Sequence, residues 1–133
     1  MGGRALILLD RHAWIWWIDE SDRLGEKAAT AIAAAVEDEA VSVSAISCWE
    51  IAALVRKCRL ESTMPAEDWI ARCEGLPYFT VLPIDARTAT RAGQLEMTPG
   101  DPANRLIVTT ALMLGAALVT KDGRLGRYVE TIW

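Results

Sequence analysis

The chain has 133 residues, enough for one domain and too few for two independent cores. At 52% hydrophobic and 24% charged it can bury a core, which excludes intrinsic disorder. With 14 Lys and Arg against 18 Asp and Glu the formal charge is −4, excluding a uniformly basic binder of nucleic acid but leaving room for a local basic patch.

The first apolar run, Ala5–Leu9, is continuous and unalternating, as a strand buried on both faces should be. Ala13–Ile18 then predicts a tryptophan-rich helical segment, followed by a polar break at Asp19–Asp22 in which Ser21 or Asp22 can cap the next helix. Alanine-rich Glu26–Val36 predicts that helix, ended by the acidic Glu37–Glu39, which oppose the dipole. Val41–Val43 reads as a second strand and Ile46–Cys58 as a helix. Pro65 suits the first turn of another helix, closed by Gly75 and Pro77. Phe79–Leu82 is the third predicted strand, and Asp85 can cap a helix running to about Leu95.

Thr98, Pro99 and Gly100 mark a loop. Asp101-Pro102 is a strong helix start, because the carboxylate accepts N–H bonds and Pro102 needs no donor there. That helix should reach Leu114, with Gly115 as its left-handed stop. Ala117–Thr120 is a fourth strand, and Thr131–Trp133 a short edge strand. Strands alternating with helices predict an α/β domain over 1–133, with a central parallel sheet of four to five strands and helices on both faces. Cys48, Cys58 and Cys73 make no CxxC pair, and with a single histidine they argue against a zinc site and for a reduced cytosol. Ala5–Leu9 is too short for a signal peptide, and Leu106–Val119 falls short of a membrane span. The expectation is a soluble, intracellular protein.

In a parallel sheet, ligands bind beyond the carboxyl ends of the strands. Asp10 follows the first strand and Asp122 lies two residues past the fourth, so both should meet at one rim if those strands are neighbours. Glu50 lies about one turn into the helix after strand two, and Asp101 and Asn104, three apart, share a face of their helix. Carboxylates gathered there would repel unless a cation sat among them. Oxygen ligands without histidine or cysteine favour Mg²⁺ or Mn²⁺, and such a cluster supports water activation and phosphoryl chemistry. Each acid also has a structural reading: Asp10 and Asp122 as turn residues, Glu50 within a Ser47-Cys48-Trp49-Glu50 capping box, and Asp101 as an N-cap.

Over its whole length the chain resembles the PIN-domain family, and within it the VapC-type toxins of toxin–antitoxin pairs. The likeness is carried by Leu8-Leu9-Asp10-Arg11-His12-Ala13-Trp14 and Ser44-Ala45-Ile46-Ser47-Cys48-Trp49-Glu50-Ile51-Ala52. It continues in Leu82-Pro83-Ile84-Asp85, Gly100-Asp101-Pro102-Ala103-Asn104-Arg105-Leu106-Ile107 and Leu118-Val119-Thr120-Lys121-Asp122. The resemblance implies a PIN-like three-layer domain and a metal-dependent endoribonuclease that uses Mg²⁺ or Mn²⁺. It further implies a homodimer, neutralised by a VapB-type antitoxin whose C-terminal segment covers the acidic rim.

By the same resemblance Asp10 is the first metal-binding acid, Glu50 the second and Asp122 the last. The third acid's place is taken by Asn104, whose amide oxygen can orient a water but brings no charge. Asp101, one turn away, is positioned to compensate in part as a metal ligand. Arg11 stands where the family usually has Thr or Ser and is expected to pair with Asp10 or to contact RNA phosphate. Cys58 falls where glycine is common. Asn104 and Arg11 together imply weakened activity, or alternatively a catalytically silent module that still binds an antitoxin. A receiver-like domain phosphorylated at Asp10 or Asp85 is a third, poorer reading, since it gives Glu50 no duty.

Of Trp14, Trp16 and Trp17, two are expected in the core and one at a partner surface, with an exposed apolar strip near the first helix. Arg56, Lys57, Arg59, Arg105, Lys121, Arg124 and Arg127 are candidates to guide RNA toward the site, and His12 is expected to be packed or at the surface.

Overall fold

A computed structural model of the chain describes residues 6–60, 63–97 and 101–133. In chain order the elements are β1 (Ile7–Leu9), α1 (Arg11–Ile18), α2 (Glu26–Glu37), β2 (Val41–Ser44), α3 (Ala45–Arg56), α4 (Ala66–Glu74), β3 (Phe79–Leu82), α5 (Ala86–Gln94), α6 (Pro102–Leu114), β4 (Ala117–Val119), a 3-10 turn (Gly123–Arg127) and β5 (Thr131–Ile132). Ala5 and the expected loop at 98–100 lie outside the described residues.

The five strands form one parallel sheet in the order β3-β2-β1-β4-β5. Leu8 sits opposite Ser42 on one side and Leu118 on the other. Because side chains alternate across a strand, the sheet feeds two cores. Ile7, Leu9, Val41, Val43 and Val119 meet α1, α2, α3 and α4 on one face. Leu8 and Leu118 meet Ile107, Val108 and Ala111 of α6, with Leu125 and Val129, on the other. This is the three-layer α/β arrangement expected. Both faces are covered, which is why β1 reads as an uninterrupted apolar run.

Trp14 is fully buried at the centre of the first core, its ring 5.1 Å from Trp69 and 5.2 Å from Phe79. Trp16 and Trp17 are half-buried against the same cluster. The expected exposed strip near α1 is not found: the exposed large apolar side chains among the described residues are Trp49, Leu112 and Leu114.

Several caps differ from expectation. Neither Ser21 nor Asp22 caps α2; its N-cap is Gly25, without a side-chain bond, and Ser21 Oγ accepts instead from Arg23 N. The α3 helix starts one turn earlier than a capping box at Ser47 requires, because Ser44 Oγ accepts from Ile46 N and leaves Ser47 buried inside the helix. Asp85, Asp101 and Gly115 act as expected, the last at φ 65°. Among the described residues no helix is long and apolar enough to cross a membrane.

Candidate active site

The chain runs outward from β1 to β2 and β3 in one direction and places β4 and β5 on the other side, so the strand order reverses between β1 and β4. Loops leaving the carboxyl ends of two such strands diverge and open a crevice between them. Asp10 leaves the end of β1, and its backbone N–H still donates to Val119 O at 3.1 Å. Thr120, Lys121 and Asp122 leave the end of β4. The crevice, about 400 Å³ in volume, is lined by Asp10, Asp101, Asn104 and Asp122 together with Arg11, His12, Lys121 and Arg124.

Each side chain is held by local structure. Asp10 caps α1, with Oδ1 accepting from Ala13 N at 2.9 Å, while Oδ2 accepts from Thr120 Oγ1 at 2.6 Å. The same hydroxyl accepts from Asp122 N at 3.1 Å. Thr120 is buried and thus links the two acids across the β1–β4 seam. Sequence reasoning missed it, although a hydroxyl residue directly before Lys121-Asp122 at a strand end was a readable signal. Asp101 caps α6 through Oδ1, accepting from Ala103 N at 2.7 Å and Asn104 N at 3.3 Å. Asp122 caps the 3-10 turn, and Arg124 Nε and Nη2 donate to its two oxygens at 3.0 and 2.9 Å. Those side-chain bonds, ahead of the backbone bond and charge of Arg124, hold the Asp122 carboxyl below its ordinary range.

Glu50 is buried on α3 and does not line the crevice wall directly. Arg11 stands between: its Nη1 donates to Glu50 Oε2, not to Asp10. Burial raises the Glu50 pKa, Arg11 opposes that rise, and the charges of Asp101 and Asp10 add to it. Glu50 Oε1 is buried without a hydrogen-bond donor. An all-oxygen set that includes an orphaned buried carboxylate oxygen is chemically suited to a hard divalent cation. As the side chains stand, no three Asp, Glu, His or Cys among the described residues converge closely enough to enclose one. Arg11 and Arg124 each hold one of the four acids.

Among the candidate basic guides, Arg105 is turned inward, Nη1 donating to Ala92 O and Leu95 O and Nη2 to Met97 O. It clamps the end of α5 to α6 and is not available to RNA. Lys121 lies over the Trp16 ring at 5.8 Å, and the His12 ring is 5.2 Å from the same indole. Burial, then the Arg11 charge, lowers the His12 pKa below its ordinary value, and the Asp10 charge opposes them. Arg127 lines a second, smaller hollow of about 240 Å³ that shares Asp101, Asn104 and Asp122 with the crevice.

Residues 7–130 match the PIN domain family model. The chain is 39% identical over 132 residues to Ribonuclease VapC22 of Mycobacterium tuberculosis (strain ATCC 25618 / H37Rv), covering 96% of this chain and 98% of that protein. Its fold is similar to VapBC2 from Rickettsia felis bound to a promoter DNA fragment (TM-score 0.66, 14% identity, 96% and 99% of the two chains). It is also similar to DNA-bound VapBC from Salmonella typhimurium (TM-score 0.65, 19% identity, 95% and 96%). The receiver-like reading is set aside by these matches. The chain belongs to the PIN-domain family and, within it, to the VapC type.

Proposed function

We propose that the chain is a metal-dependent endoribonuclease toxin that hydrolyses RNA phosphodiester bonds and is neutralised by a VapB-type antitoxin. The observation that carries this reading is the gathering of Asp10, Asp101, Asn104 and Asp122 in one crevice at the reversal of strand order. The full-length relative named as a ribonuclease and the VapBC complexes of like fold support it.

Asp10, Glu50, Asp101 and Asp122 are the residues that would hold Mg²⁺ or Mn²⁺. Bound there, the ion supplies Lewis acidity that lowers the pKa of a water and offsets charge on the phosphate. Thr120 fixes the Asp10 carboxylate by its donated hydrogen bond. Asn104 offers an amide oxygen that orients a water without adding charge. Lys121, at the rim, attracts the phosphate backbone. Asn104 in place of an acid and the hold of Arg11 on Glu50 make the activity an attenuated one. The protein acts as a cytoplasmic homodimer, and the antitoxin covers the crevice.

Incubating the protein with structured RNA and Mn²⁺ tests this. Cleavage that disappears in Asp10→Asn and in chelator is expected, and equal cleavage by wild type and variant overturns the proposal. The Arg11–Glu50 pair favours a second reading, a catalytically silent module that keeps only antitoxin binding. Calorimetric titration separates them, because millimolar or tighter Mn²⁺ binding by the wild type removes the silent reading.

A further inference from the structure

Trp49 is 67% exposed, the most exposed large apolar side chain among the described residues. An indole left in water forgoes the stabilisation that burial would bring, so its position calls for a use beyond packing. It sits on α3 directly before Glu50 and borders two depressions. On one side is an apolar cleft of about 450 Å³, walled by Ala45, Ile46, Ile84 and Pro102 and bordered by Asp101. On the other is a groove of about 160 Å³ edged by Arg11, Lys57 and Arg59 with Glu50 at its base. Each depression thus reaches one of the candidate metal-binding acids, and Trp49 is the wall they share.

We propose that Trp49 and its two flanking depressions form a nucleotide subsite for single-stranded RNA. An unpaired base stacks on the exposed indole in the apolar cleft, and the adjoining phosphates meet Lys57 and Arg59 in the basic groove. A stacked ring with charge-neutralising cations beside it is how single strands are gripped without base-specific readout. The groove's cations outnumber its single acid, Glu50, in a chain whose overall charge is −4, which matches a polyanion. The inference rests on the ribonuclease reading and adds to it the residue that seats the strand beside the acids.

The test uses the full-length protein in EDTA, so that binding is read without cleavage, with fluorescein-labelled oligouridylate and oligoadenylate twelve nucleotides long at low salt. Trp49→Ala should weaken binding roughly ten- to hundred-fold for both, and Trp49→Phe should restore most of it. Lys57→Ala and Arg59→Ala should each flatten the salt dependence by about 0.7 in log–log slope. Undiminished binding by Trp49→Ala, or no wild-type binding at all, overturns the subsite. So does a Trp49→Ala variant that sediments as a smaller species with unchanged RNA affinity per chain, since that face would then join two copies. Mn²⁺-dependent cleavage by the same preparations, with Asp10→Asn as control, separately reports whether the ribonuclease reading holds.

Discussion

Arg11 and Glu50, 39 residues apart, form an ion pair at the edge of the crevice, with side chains 32% and 8% exposed respectively. The guanidinium satisfies one oxygen of a buried carboxylate that also feels the negative charges of Asp101 and Asp10. It thereby supplies in metal-free protein part of the positive charge a cation would bring. On the metal-dependent reading proposed above, the two would compete for Glu50.

Replacing Arg11 with Thr should therefore lower metal-free stability and raise metal affinity together. The stability loss should be about 1–3 kcal/mol, below the range for a fully buried pair because Arg11 is partly solvated. Urea unfolding in EDTA measures the first effect and Mn²⁺ calorimetry the second. A variant that loses stability without gaining affinity would show that Arg11 does not stand in the ion's way.

Glu50 also sets a pH dependence. Its folded pKa is raised above the ordinary 4.5, chiefly by burial, so the folded state binds the proton more tightly than the unfolded chain. The contribution to stability therefore falls as pH rises from the unfolded value through the folded one, and stays lost above it. In EDTA, Glu50→Gln should gain on wild type across that window and hold a constant advantage at higher pH. Denaturation midpoints of both proteins between pH 4 and 8 check the sign, and a difference that shrinks with rising pH contradicts it.

Thr120→Val deletes a hydroxyl that donates to Asp10 Oδ2 and accepts from Asp122 N. The partly buried N–H of Asp122 loses its acceptor and Asp10 its orientation, at a cost of about 1–3 kcal/mol. Cleavage should fall with stability, while Thr120→Ser should recover both. Valine with wild-type cleavage would mean that the Asp10 rotamer is fixed by its cap to Ala13 alone.

The convergence of Asp10 and Asp122 was legible because both follow buried apolar runs, and parallel pairing of β1 with β4 does the rest. Asp85, Asp101-Pro102 and Gly115 announced their caps through residue types with one strong local preference. The partner of Arg11 was not legible, since a long flexible cation reaches several acids and only packing selects Glu50. Helix ends were harder where glycine is missing. The α1, α2 and α3 helices all end with a non-glycine residue at positive φ: Glu20 and Glu39 at 53°, and Cys58 at 56°. The closing bonds are those of a glycine-type stop, as in Arg59 N to Leu54 O at 2.9 Å and Cys58 N to Val55 O at 3.0 Å.

The strain at Cys58 makes its own prediction. A side chain in the left-handed region costs about 1–2 kcal/mol, and glycine returns part of that through its freer unfolded chain. Cys58→Gly should thus stabilise the protein by about 0.5–1 kcal/mol, read as a higher urea midpoint at unchanged slope. A lower midpoint would mean that the Cys58 side chain makes contacts worth more than the strain.

Asn104 faces the crevice from the first turn of α6, one turn from its cap Asp101 and across from Asp10 and Asp122. Asn104→Asp keeps the shape and adds a charge. Without metal that charge adds repulsion to a site already holding three acids, so the variant should melt below wild type, more so at low salt. With Mn²⁺ the order should reverse, because the new carboxylate offers a charged oxygen worth about 1.5 kcal/mol, or roughly ten-fold in affinity. Cleavage of RNA should rise with it. If affinity and cleavage both stay at the wild-type level, the amide position does not reach the ion, and the proposed attenuation would have to lie with Arg11.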